Sequence, residues 1–285
     1  MNNEQKKNLK NNLFKAMAIS ATLFGLFILA VLLISIVIDG FGRLSMSFFT
    51  DLPSRKADQA GIYTAWTGTL WIMIVTALFA LPVGIAAGIY LQEYGRKNKF
   101  ASFVDINISN LAGVPSIIYG LLGLEFFVRW CGLGQSILSG SLTLALLILP
   151  IIIVSTREAL KAVPDTIREA SYALGASQWQ TIQHQVLPAA SGGIMTGVIL
   201  SLSRAVGETA PLIVVGALTY VPFAPSNWND SFTVLPIQIF NWASRPQQDF
   251  LVNAAAGIIV LLVITFLMNG TAIYLRNRWQ KKIKW

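Results

Sequence analysis

Long stretches without a single charge alternate with short basic segments along this chain. The first, 16–38, carries no charge over 23 residues, enough for a helix to cross a hydrocarbon core of roughly 30 Å. Residues 59–92 are again uncharged, with a helix expected over 66–91. Further apolar runs at 106–124, 142–154, 192–218 and 250–275 complete a set of six. The fourth run is short and contains Pro150, which leaves its ends open. The pattern predicts an all-α polytopic membrane protein with six transmembrane helices. The first run is too long for the apolar core of a cleaved leader, and Ile38-Asp39-Gly40-Phe41 is no small-x-small cleavage site. It reads as a retained anchor that follows a short polar segment, 1–15.

Composition agrees. Of 285 residues 54% are hydrophobic and 12% charged, against about 25% charged in soluble domains. Too few charges remain to cover a water-facing surface, which excludes a soluble enzyme, a disordered tail or a disulfide scaffold. A single cysteine (Cys131) and a single histidine (His184) exclude a structural disulfide and argue against a Cys/His zinc centre or a Ser-His-Asp triad. We therefore expect no catalytic residue, no metal and no bound cofactor. No G-x-x-x-x-G-K-[ST] loop occurs, so the chain should hydrolyse nothing unaided.

The net charge of +8 bears on topology. With the N-terminus inside, fifteen of the 21 Lys and Arg fall in inner segments: residues 6–15, 96–99, 157–168 and 276–284. Five fall outside: Arg43, Arg55, Lys56, Arg129 and Arg245. That asymmetry places both termini in the cytoplasm and removes nucleic acid as the reason for the charge. Trp228 and Trp242, in the outer segment before the last span, read as interfacial anchors.

The remaining basic residue, Arg204, lies within the fifth run, and Glu208 follows it by four. In a continuous helix both would sit near the middle of the span and share a face with Ser201 and Pro211. Charges at a helix centre cost roughly 2.5–3.5 kcal/mol each on an insertion scale and usually face a cavity or pathway. A self-neutralising pair that holds the bundle together is the other reading. A guanidinium presents a fixed fork of donors that matches a tetrahedral oxyanion, so Arg204, Glu208 and Ser201 are the candidate pathway residues for an anion. Gly193, Gly197, Ser201, Ala205 and Thr209 recur every four residues in the same run. A stripe of small side chains permits close helix packing, within the chain or against a second subunit. Glu125 and Arg129, also four apart, read as an interfacial ion pair.

Residues 157–190 form a long inner loop. Thr166-Ile167-Arg168-Glu169 reads as a capping box that opens one short helix, Gly175 ends it, and Ser177-Gln178-Trp179-Gln180 opens another. Trp179, Ile182 and Val186 follow at helical spacing before Leu187-Pro188 closes the segment. Such an apolar face serves either a membrane surface or a soluble partner with a groove for a helix.

Glu169-Ala170-Ser171, three residues, Gly175, and a closing Leu187-Pro188 resemble the EAA loop of ABC importer permeases. Ser171 stands where that pattern usually has a second Ala. Ala112-Gly113-Val114-Pro115-Ser116-Ile117-Ile118-Tyr119-Gly120 and Ser203-Arg204-Ala205-Val206-Gly207-Glu208-Thr209-Ala210-Pro211-Leu212 look like the phosphate-specific permeases, PstA type, of the binding-protein-dependent systems. The resemblance spans 64–272. It implies a type I permease fold and one half of a channel for inorganic phosphate. It also implies coupling helices in which Glu169, Ala170, Gly175, Trp179, Leu187 and Pro188 meet an ATP-binding subunit. The implied partners are a PstB-like ATP-binding dimer that uses the ATP, a PstC-like second permease, and a PstS-like extracytoplasmic binding protein. A self-sufficient secondary anion carrier or channel remains the alternative.

Overall fold

A computed structural model describes residues 3–95, 99–217 and 220–280. Basic residues at 96–97 and 281–284, counted above for topology, lie outside the described residues, as does Leu218 at the expected end of the fifth run. Among the described residues the chain is helix and connecting turns, with no strand.

The described residues form twelve α-helices in order: α1 (Asn3–Gly40), α2 (Met46–Thr50), α3 (Tyr63–Ile89), α4 (Lys99–Leu111), α5 (Ser116–Gly123), α6 (Ile137–Lys161), α7 (Asp165–Ala173), α8 (Gln178–Thr181), α9 (Leu187–Val206), α10 (Ala210–Val215), α11 (Leu235–Ala243) and α12 (Asp249–Gln280). Among the described residues five spans are long and apolar enough to cross a membrane, and the bent pair α4–α5 makes a sixth.

Helix α6 occupies the centre. The fourth run is therefore not short: Pro150 sits inside a continuous 25-residue helix. Two helices press onto it through glycines. On the α3 side a Cβ at Gly88 would lie 2.7 Å from Thr156 Cβ, and one at Gly84 would lie 2.6 Å from Ile152 Cγ2. On the α9 side Gly193 meets Ala159 and Gly197 meets Ser155. Lipid tails are as apolar as leucine, so close backbone approach is what holds such helices together. Hydroxyls add direction: Thr76 Oγ1 donates to Ser141 O at 3.2 Å and Ser141 Oγ to Ile72 O at 3.3 Å. The small-residue stripe of the fifth run thus packs within the chain, and Thr209 falls beyond the end of α9.

The third run breaks. Its halves α4 and α5 meet at 112–115 with a bend of 108°. Pro115 lacks an N–H and disfavours a helical residue before it, so the ladder cannot cross this point. Asp105 on α4 pairs with Arg157 on α6 and ties the first half to the core.

At the end opposite the 157–190 loop, α2, α11 and the start of α12 form a cap. Trp242 is not an interfacial anchor: it is fully buried, its ring 5.9 Å from that of Phe48. Arg43 locks the cap by donating to Asp58 O at 2.8 Å, Ala60 O at 3.1 Å and Asn253 Oδ1 at 3.0 Å. Helix α1 touches α12 near Gly40, and its apolar length lies exposed along the outside.

Candidate functional site

Helix α9 ends at Val206. Gly207 N–H returns to Arg204 O and Glu208 N–H to Ala205 O, each at 3.2 Å, and regular helix resumes only at Ala210. Pro211, in the first turn of α10, lacks the N–H that a continuous ladder needs. Arg204 therefore occupies the last turn of a helix and Glu208 the break beyond it. This corrects the expectation of two charges midway along one continuous span.

The pair forms across the break, with Arg204 Nε donating to Glu208 Oε1 at 3.2 Å. The Arg204 side chain is 45% exposed and that of Glu208 15%. A guanidinium carries five N–H donors, and among the described residues one of Arg204's is engaged. Ser201 differs: it is fully buried and donates to Gly197 O at 2.8 Å. Its hydroxyl serves its own helix and reaches no open surface, so it is removed from the candidate pathway set.

A second break adjoins the first. Tyr119, on α5, donates its hydroxyl to Leu111 O at the end of α4 (2.8 Å), which fixes the bend. A Cβ on Gly120 would lie 2.7 Å from Pro211 Cα, so α5 and α10 meet backbone to backbone. Irregular backbone at membrane depth is tolerated where it is buried in protein or lines a watery cavity. Here two interruptions converge beside a half-open guanidinium.

At the far end, the 157–190 loop folds as two short helices. The box expected at Thr166 does not form: Pro164 is the N-cap of α7 and offers no side-chain bond. The box at Ser177 does, with Gln180 N–H donating to Ser177 Oγ (3.3 Å) and Ser177 N–H to Gln180 Oε1 (2.8 Å). Gly175 turns the chain between the helices at φ +85°, where a side chain would be strained. Glu169, Ala170, Tyr172, Leu174 and Trp179 are exposed, Leu174 at 90%. Ile182 and Val186 are buried, and Leu187 and Pro188 half-buried.

What fastens this loop is absent from the reading of the sequence. Arg168, read there as a topological charge within the expected box at Thr166, is buried. Its Nη2 donates to Glu93 Oε1 at 2.7 Å and its Nε to Glu93 Oε2 at 3.2 Å. Further bonds reach Val163 O (2.8 Å), Leu160 O (3.0 Å) and Asp165 Oδ1 (3.2 Å). The hydrogen bonds to the Glu93 carboxylate raise the Arg168 pKa above its ordinary value, against the opposing effect of burial. Glu93 is the lone carboxylate between Asp58 and Asp105, the one hint that the sequence offers. Nothing in it links two residues 75 positions apart.

Known proteins fit this arrangement. The family model described as binding-protein-dependent transport system inner membrane component matches residues 80–281. This chain belongs to that family. As a permease of this kind it is 32% identical to the probable ABC transporter permease protein YqgI of Bacillus subtilis, over 96% of this chain and 98% of that one. It is 34% identical to the phosphate transport system permease protein PstA of Yersinia pestis (91% and 88% covered) and 35% to that of Haemophilus influenzae (89% and 90%). The permease superposes on a chain of a bacterial ABC transporter that imports the acidic polysaccharide alginate, with a TM-score of 0.67, 16% identity, and 97% and 99% of the chains covered. A chain of the inward-facing MetNI methionine ABC transporter gives 0.60 at 18% identity, covering 76% of this chain and 95% of that one. The fold is that of type I ABC importer permeases, in a multi-pass inner-membrane component.

Proposed function

We propose that the chain forms half of the translocation channel of an ATP-driven ABC importer for inorganic phosphate, with Arg204 and Glu208 on the ion's route. One observation carries the reading: the exposed loop and the charged pair lie at opposite ends of a single helical rod. From Gln178 the chain runs helically through a π turn at Ile182–Val186 to Val206, 29 residues in all, or about 40 Å at 1.5 Å per residue. Pro188 cannot donate to an i−4 carbonyl, and the π turn before it absorbs the mismatch. A push on the loop is thereby delivered to Arg204.

The chemistry suits the cargo. The free donors of Arg204 match a phosphate oxyanion. Glu208 holds the guanidinium when no ion is present and can accept a hydrogen bond from a monoprotonated phosphate. Glu169, Ala170, Gly175 and Trp179 meet an ATP-binding subunit dimer, which consumes the ATP, while Leu187 and Pro188 join the loop to the rod. The chain itself binds no cofactor. A second permease supplies the other half of the channel, and an extracytoplasmic phosphate-binding protein delivers the ion. Both termini lie in the cytoplasm, on the side of the basic segments. The relatives named for phosphate transport support this choice of ion.

The test is uptake by the complete complex in lipid vesicles. Wild type should accumulate phosphate only with ATP, and Arg204→Gln should lower uptake about tenfold or more, the scale of one lost charge-assisted contact, while the complex still assembles. Unchanged uptake in that variant overturns the pathway role. Anion flux through the chain alone, without ATP, would establish the carrier alternative instead.

A further inference from the structure

The one buried residue of helix α7 is an arginine, with Ile167 half-buried beside it against the core. An element attached to a bundle normally buries an apolar stripe. Here a charge network is added to the single apolar contact of Ile167, and we infer that Arg168 and Glu93 form a clamp through which the loop drives α3 and α6 as well as α9. The inference rests on the reading of the loop as the docking face for the ATP-binding subunit.

The geometry supports a clamp over a passive ion pair. The Arg168 side chain is 7% exposed and that of Glu93 5%. Five hydrogen bonds leave the guanidinium toward three elements: Glu93 beyond the end of α3, the carbonyls of Leu160 and Val163 at the end of α6, and Asp165 of α7 itself. Glu93 is also gripped from the other side, since Gln178 Nε2 donates to its backbone carbonyl at 2.8 Å. Helices α7 and α8 thus hold one residue, by its side chain and its main chain respectively. Ser171 Oγ and Thr181 Oγ1, 2.9 Å apart, tie the two short helices to each other.

Apolar contacts slide; a planar fork seated on a carboxylate resists both sliding and rotation. Continuity then extends the effect. Glu93 lies in the π turn Tyr90–Tyr94 that prolongs α3, and α3 is keyed onto α6 through Gly84 and Gly88. A displacement of the loop therefore cannot be taken up at its root. Arg168 and Glu93 are positioning residues: neither approaches the ion's route.

The experiment uses the assembled complex in vesicles, with inorganic phosphate and ATP as probes. Arg168→Lys keeps the charge and loses the fork; Glu93→Gln keeps the shape and loses the charge. In both, ATP turnover should stay within about twofold of wild type while phosphate moved per ATP falls about tenfold or more. An unchanged ratio in both variants overturns the clamp. Should either variant fail to assemble, Gln178→Ala decides, since it cuts only the bond to the Glu93 carbonyl at an exposed position. Its ratio should fall about two- to threefold, and an unchanged ratio again overturns the proposal. Amide exchange over 165–173 reads the clamp without any cargo. It should accelerate about tenfold or more in Arg168→Lys, and exchange at the wild-type rate would refute the fastening itself. A wild-type complex that moves no phosphate with ATP would refute the function proposed above, while the exchange result would still judge the clamp.

Discussion

Two arginine–carboxylate pairs in this chain use the same chemistry for opposite ends. Arg168 and Glu93 are both buried and the guanidinium is saturated, with five bonds to three elements. Arg204 is 45% exposed and bonded to Glu208 through one nitrogen. A saturated guanidinium has nothing left to offer a ligand, and its partners cannot lose it without leaving a charge in a dry site. A half-open one keeps donors in reserve and is cheap to disturb. The difference lies in the backbone: Arg168 projects into the angle between two helix ends, whereas Arg204 stands at the frayed end of one helix, where the chain itself stops supplying partners.

The comparison breaks most sharply at Arg168. Arg168→Met strands the Glu93 carboxylate and strips a donor from two carbonyls, and should destabilise the protein by roughly 3–5 kcal/mol. Thermal unfolding of the purified chain in detergent measures this; a loss below about 1 kcal/mol, the range of an exposed pair, would make the two pairs equivalent. Gly175→Val comes next. A β-branched residue at φ +85° is strained by about 1–2 kcal/mol, and the strain falls between the clamped α7 and the capped α8. Expected outcomes are a modestly lowered unfolding midpoint and a weakened hold on the ATP-binding subunit in co-purification. Arg204→Met should cost about 1 kcal/mol or less, although it removes the residue on which uptake is proposed to depend. A stability loss as large as that of Arg168→Met would turn Arg204 into a fastener too.

How much of this the sequence discloses follows from the range over which each feature acts. Uncharged runs locate the spans because hydropathy is local and the bilayer sets its length. The Ser177 box and Gly175 are equally local and appear as read. The break at Glu208 is hidden because an apolar run with a charged pair looks the same whether or not its backbone is continuous. Pro211 and Gly207 were the available signals. Helical spacing puts Ser201 beside Arg204, yet spacing cannot tell which flank of Arg204 the central α6 covers. Trp242 reads as an anchor because tryptophan favours interfaces, and only the fold places Phe48 against it. Arg168 and Glu93 meet through tertiary structure alone. Positive charge near a membrane has a standing explanation in topology, and that explanation concealed a structural role.

A third pair calibrates the other two. Glu125 and Arg129 are 2.9 Å apart, with side chains 70% and 66% exposed, in the Glu-first order that suits a helix. They sit in the π turn Leu124–Trp130, outside the packed core. Solvent screens such a pair, and holding two long side chains together offsets most of the attraction. Glu125→Gln should therefore cost only about 0.2–0.5 kcal/mol, a shift at the edge of what a thermal unfolding curve in detergent detects. The value matters as a baseline. If Arg204→Met costs no more than Glu125→Gln, Glu208 contributes nothing to stability beyond an ordinary surface contact, and the donors of Arg204 are free for an ion. If Glu125→Gln instead costs several times more, exposure is not what separates these pairs, and the contrast between a fastened and an open guanidinium loses its physical basis.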